Sequence, residues 1–184
     1  ALIQYAESHP GVSLTARSGG TGMDGGALTE SVVIDFGKYF NHIKEVVADP
    51  KGETGYAVTE PGVWYRDFEK ETLKHNLLMP SYPASRELCM VGGMAANNAG
   101  GELTLSFGKT EDYVRALKVV LADGNEYEIK PLSREELEAK CDQKDFEGDF
   151  YRRMLLLVSS QYDVLKAAKP KVSKNSSGYF LWNV

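Results

Sequence analysis

The chain has 184 residues, of which 42% are apolar and 26% charged, enough for one soluble domain with a sizeable core and at most a peripheral appendage. A formal charge of −5 argues against a nucleic-acid partner, which would require clustered Lys and Arg, and favours a small-molecule role. No apolar run reaches the ~20 residues that cross a bilayer, and residues 1–9 lack a basic-then-apolar signal pattern.

In chain order, residues 1–9 suit the last turns of a helix halted by His9-Pro10-Gly11. Val12–Ala16 is a short strand, and 17–26 holds five glycines in ten residues, which rules out a regular element. Ser31–Phe36 has the β-branched character of a buried strand. Lys44–Ala48 and Tyr56–Glu60 form a hairpin across the turn-like Asp49-Pro50-Lys51-Gly52. Trp64–Asn76 is an amphipathic helix with Trp64, Phe68 and Leu73 on one face, its aromatic residues assigned to the core rather than to a cofactor.

Ser81–Gly101 is a second glycine-rich segment, read as a loop. Tyr113–Ala122 alternates as a long strand, turned by Asp123-Gly124 into Tyr127–Ile129. Beyond Pro131, Ser133 opens a charged helix with a capping-box pattern and Asp149–Ala168 reads as a longer helix. The apolar starts and stops at Ala1–Ala6 and Leu181–Val184 suggest a piece of a longer protein.

Several motifs fail in context. Gly20-Thr21-Gly22-Met23-Asp24-Gly25 fits the dinucleotide fingerprint, which must open a helix, yet a strand follows. Phe107-Gly108-Lys109-Thr110 mimics the end of a P-loop, but Leu103 stands where its first glycine is needed. His9, His42 and His75 form no metal-ligand pair, so no metal site is expected. Cys89 and Cys141 form neither a disulfide framework nor a metal motif, which suits a reducing compartment. Asn175-Ser176-Ser177 is a formal glycosylation acceptor of little weight there.

Two glycine-rich loops remain. Gly19, Gly20, Thr21 and Gly22 offer successive backbone N–H groups that can converge on phosphate oxygens where no Cβ blocks approach. Arg17, just before them, either neutralises charge directly or ties the loop to the scaffold, with the structural role slightly favoured. The stretch Val91–Gly101 combines close-approach glycines, small side chains and two amides, which suits flat access to a planar ring.

Three stretches in order, ARSGGTGMDGGALTESVVIDF, EPGVWYRDFEKETLKHNLLMPSYPASRELCMVGGMAANNAGG and SFGKTEDYVRALKVVLADG, resemble the FAD-binding domain of the vanillyl-alcohol oxidase and p-cresol methylhydroxylase superfamily. The likeness is to its branch of D-lactate dehydrogenases and glycolate oxidase flavin subunits. It implies an α+β fold, a small sheet packed against a mixed sheet with flanking helices and truncated at both ends. On this reading 1–130 is a partial FAD-binding domain, and 131–184 a helical insertion with a lead-in, Asn175–Leu181, to the remainder.

The resemblance also implies FAD as cofactor, its pyrophosphate held by the backbone of Ser18, Gly19, Gly20, Thr21, Gly22 and Met23. Pro83, Ser85, Val91, Gly92 and Gly93 would line it, with Asn98, Gly100 and Gly101 near the flavin or ribityl chain and Val114 near the adenine. Ser18 stands where the family usually has glycine, Gly22 often replaces Ser, Asn97 stands where Thr is commoner, and Lys118 where an acid is frequent. The implied reaction takes a D-2-hydroxyacid of D-lactate or glycolate type to the 2-oxoacid, with hydride passing to flavin N5 and electrons to an acceptor of unknown identity. Substrate would bind through a missing domain, so no catalytic base is assigned and the chain alone is expected to be inactive. A cytoplasmic location is expected, with peripheral membrane association of the parent left open. Three alternatives stay open: a non-catalytic nucleotide- or anion-binding module, an oxidase of another class such as an aldonolactone oxidase, and a partner-docking role for 133–168.

Overall fold

The computed structural model describes residues 1–172, 175 and 179–183. Ser176, Ser177 and Gly178, which belong to the glycosylation-type sequence and to the lead-in stretch, lie outside the described residues. The chain divides into two compact units, Leu2–Val114 and Arg115–Val184 with Ala1.

In the first unit, helix α1 (Leu2–Ser8) ends before His9-Pro10, and β1 (Leu14–Arg17) pairs in parallel with β2 (Val32–Asp35). The register sets Arg17 beside Asp35. A parallel pair needs a crossover of a dozen or more residues, usually helical. Here the glycine-rich segment itself is the crossover, so no helix follows Gly20–Gly25 and the dinucleotide fingerprint is excluded on context.

Strands β3 (Ile43–Ala48) and β4 (Gly55–Thr59) form the expected antiparallel hairpin. Asp49 closes it, its carboxylate accepting from the N–H groups of Lys51 and Glu53 and from the Thr54 hydroxyl. Helix α2 (Tyr65–Leu73) buries Tyr65, Phe68 and Thr72, the i, i+3, i+7 face. This corrects the sequence reading in part: Phe68 is core, but Leu73 is exposed and Trp64 caps the helix, paired across an isolated bridge with Met90.

The glycine-rich segment 81–101 is not wholly a loop, since Val91–Ala96 forms the short helix α3. Helix α4 (Thr104–Phe107) and a 3-10 turn, Thr110–Tyr113, follow. The core joins Val63, Tyr65, Phe68, Tyr82, Cys89, Met94 and Ala99, so the two ends of segment 81–101 pack on α2 and on each other. Tyr65 is fully buried and its hydroxyl donates to the Met79 carbonyl at 2.7 Å. Burial holds that phenol above its ordinary pKa, so it remains a donor.

In the second unit, β5 (Leu117–Val120) and β6 (Glu126–Ile129) pair antiparallel across Asp123-Gly124. The expected long strand from Tyr113 is shortened because Thr110–Tyr113 winds into the 3-10 turn. Helix α5 (Arg134–Asp142) carries the predicted capping box, Ser133 Oγ accepting from Glu136 N–H and Glu136 from Ser133 N–H. The single helix expected at 149–168 is two, α6 (Phe146–Ser160) and α7 (Tyr162–Ala167), broken at Gln161. Helix α6 begins earlier than expected because Asp145 caps it through Gly148 N–H.

The α+β character holds, and among the described residues the strands pair two by two in three small sheets. No helix among them is long and apolar enough to cross a membrane. Replacing Tyr65 with Phe leaves the Met79 carbonyl without its donor, and urea unfolding is expected to show a loss of about 1–2 kcal/mol.

Candidate cofactor site

The crossover loop begins where Arg17 leaves β1 and is pressed against two other segments at once. Ser18 Oγ accepts the Gly93 N–H at 3.0 Å and donates to the Pro61 carbonyl at 3.3 Å. A Cβ on Gly19 would collide with the Leu88 carbonyl oxygen and sit 3.2 Å from Cys89 Cα, so only glycine lets the loop lie on that turn. Gly20 has φ +66°, a left-handed conformation that glycine adopts without strain. The two glycine-rich segments expected to share a cofactor are therefore in contact.

The backbone donors of the loop are open. Among the described residues, the N–H groups of Gly19, Gly20, Thr21, Gly22 and Met23 have no protein partner. Five successive open donors around a positive φ offer the main-chain chemistry of an anion nest. Thr21, Gly22 and Met23 are exposed at the tip, and the Met23 side chain stands fully in solvent.

The start of α3 behaves differently. Val91 N–H donates to the Val63 carbonyl, Gly92 N–H to the Pro61 carbonyl and Gly93 N–H to Ser18 Oγ. All three donors are spent inside the protein, so Val91, Gly92 and Gly93 have none of these hydrogen bonds to offer a ligand. A Cβ on Gly92 would strike Pro61, in the segment entering α2, and one on Gly93 would lie 3.0 Å from Ser18 Cβ, so the start of α3 is pressed against both that segment and the loop.

Pro83 and Ser85 sit in the turn leading to Leu88: the Pro83 carbonyl accepts from Arg86 N–H, and the Ser85 carbonyl from the N–H groups of Leu88 and Cys89. Burial pushes the Cys89 thiol above its ordinary pKa and keeps it protonated. Gly101 is held against this turn, since a Cβ there would collide with the Tyr82 carbonyl and lie 3.2 Å from Pro83 Cα. Asn98, with φ +44°, uses its side-chain oxygen to accept the Glu111 N–H. Gly100 abuts Thr104 and Lys109, and Gly101 N–H donates to Thr104 Oγ1. Val114 is half-buried after the 3-10 turn that packs on α3.

Sequence reasoning missed the framing role of Pro61 and Leu88, which act through backbone carbonyls and so leave no side-chain signature. No cluster among the described residues could hold a metal ion.

A family model described as an FAD binding domain matches residues 1–130. The chain belongs to that family. It is 30% identical over 171 residues to the D-2-hydroxyglutarate dehydrogenase of Pseudomonas putida, covering 92% of this chain and 16% of that protein. It is 35% identical over 126 residues to the D-lactate dehydrogenase of Archaeoglobus fulgidus, covering 67% of this chain and 27% of that one. Among solved structures, 6-hydroxy-D-nicotine oxidase from Arthrobacter nicotinovorans superposes with a TM-score of 0.58 at 26% identity, over 73% of this chain and 28% of that one. The chain thus spans about a sixth to a quarter of the curated relatives it matches. The resemblance drawn from the three sequence stretches holds, for the cofactor domain and for the hydroxyacid dehydrogenase branch.

The open nest fits the diphosphate of FAD, which needs several converging donors and close backbone approach. Replacing Ser18 with Ala removes the acceptor of Gly93 N–H, and a destabilisation of about 1 kcal/mol is expected in denaturant unfolding, with faster hydrogen exchange at Gly93.

Proposed function

We propose that this chain is the cofactor-holding portion of a flavin-dependent oxidoreductase that oxidises a D-2-hydroxyacid to the 2-oxoacid. The observation that carries the reading is the run of five unpartnered N–H groups from Gly19 to Met23, set in a domain of the FAD-binding family. The names of the relatives, D-2-hydroxyglutarate and D-lactate dehydrogenases, support the hydroxyacid class.

In this reading Ser18–Met23 grip the pyrophosphate through main-chain donors. Pro83 and Ser85 shape the adjoining wall, and Val91–Gly93 line it from the start of α3. Asn98, Gly100 and Gly101 border the flavin and ribityl side, and Val114 the adenine end. Bound FAD supplies a hydride acceptor. The chain's own contribution is to hold and orient the cofactor, because the residues at the site act through backbone and packing and none is placed as a general base. Substrate recognition and the electron acceptor belong to the whole protein, of which residues 1–130 would be part of the cofactor domain and 131–184 a helical addition.

The test is an absorbance spectrum at about 350–500 nm after FAD is added and the excess removed by gel filtration. A retained flavin band is expected, left unbleached by D-lactate or D-2-hydroxyglutarate under anaerobic conditions. A chain that excludes FAD but retains ATP would replace this reading with a nucleotide-binding module. Gly20→Val, which forces a β-branched residue into φ +66° and drives its Cβ into the Arg17 guanidinium, is expected to lose the band.

A further inference from the structure

The geometry points to Arg17 as a direct ionic partner of the cofactor's pyrophosphate, the less favoured of the two roles that the sequence leaves open for it; the inference rests on the flavin-binding reading above. It makes no ion pair with the acid nearest to it in the strand register. In the parallel register Arg17 lies beside Asp35, yet the Asp35 carboxylate accepts the Gly37 N–H at 2.8 Å and makes no ion pair with Arg17. Among the described residues, the Arg17 guanidinium has no hydrogen-bonding or ionic partner at all.

The side chain instead folds back over the loop. A Cβ built on Gly20 would collide with Arg17 Nη2 and lie 2.7 Å from Cζ and 3.2 Å from Nε, so the guanidinium lies across the bare face of Gly20. It therefore lies beside the loop whose N–H donors, from Gly19 to Met23, are open. Two sets of donors brought together without an acceptor repel one another and gain only when an anion enters between them. Of the two acids in the crossover, Asp24 turns its carboxylate to the Gly26 N–H and toward Gly22, and neither Asp24 nor Glu30 forms an ion pair with Arg17. A planar fork of donors matches phosphate oxygens in a way a single ammonium cannot.

Arg17 thus supplies the charge that the backbone donors lack, and it lies over the residue whose φ of +66° requires glycine.

The test is FAD titration by quenching of flavin fluorescence, at low and at high salt, for the native chain, Arg17→Met and Arg17→Lys, together with the melting temperature of each without FAD. Losing one charge-assisted contact corresponds to about 10- to 100-fold. The Met variant is expected to bind FAD that much more weakly, with a flatter salt dependence and an unchanged melting temperature without cofactor. The Lys variant is expected to recover the salt dependence and part of the affinity. A Met variant that binds FAD as tightly as the native chain overturns the assignment, and so does one that loses FAD only together with cofactor-free stability. If the native chain itself takes up no FAD, the proposed function falls first and this inference with it; uptake by the native chain with any other pattern in the variants leaves that function standing.

Discussion

The hydroxyl of Ser18 joins parts of the chain that are otherwise remote in sequence. By accepting from Gly93 and donating to Pro61, it ties the crossover loop to the start of α3 and to the segment entering α2. The pressing of Gly19 onto the Leu88 carbonyl is the second half of the same joint. Ser18 thus performs a structural task through its side chain, and the neighbouring Gly19 and Gly20 retain the backbone freedom.

That joint divides the labour between the two glycine-rich segments. Donors at the start of α3 are consumed in building the frame, whereas those of the loop are left for a ligand. Similar composition therefore serves opposite ends: glycines at 92, 93 and 101 permit backbone contact inside the protein, and those at 19, 20 and 22 lie in the segment that presents its backbone outward. Polar groups buried against one another must be satisfied, while those facing a binding site are satisfied by the ligand.

Much of this was legible beforehand because it rests on local chemistry. The Asp49 and Asp123-Gly124 turns, the Ser133 capping box and the strand after the first loop follow from turn and capping preferences that act within a few residues. Helix α3 was not legible, because Val-Gly-Gly-Met-Ala-Ala has poor intrinsic helicity at its start and is held by Val63, Pro61 and Ser18 from elsewhere in the chain. The apolar face of α2 was misjudged for a similar reason: the bridge to Met90 fixes Trp64 outside the helix and rotates Tyr65 into the core. At the site, Arg17 folds over Gly20 although the strand register sets it beside Asp35, a side-chain placement that composition does not reveal.

The parallel pairing of β1 with β2 also limits how such a loop can vary in length. Its first three residues are gauged against Arg17, Leu88 and Gly93, so an inserted residue there would carry the donors off their footing. Between Met23 and Ser31 the chain is mostly exposed and held largely by its own short turns, through Asp24 and Thr29. Insertions and deletions are cheap in such a stretch. Divergence in length is thereby confined to the far side of the crossover, while the run of open donors keeps one fixed span.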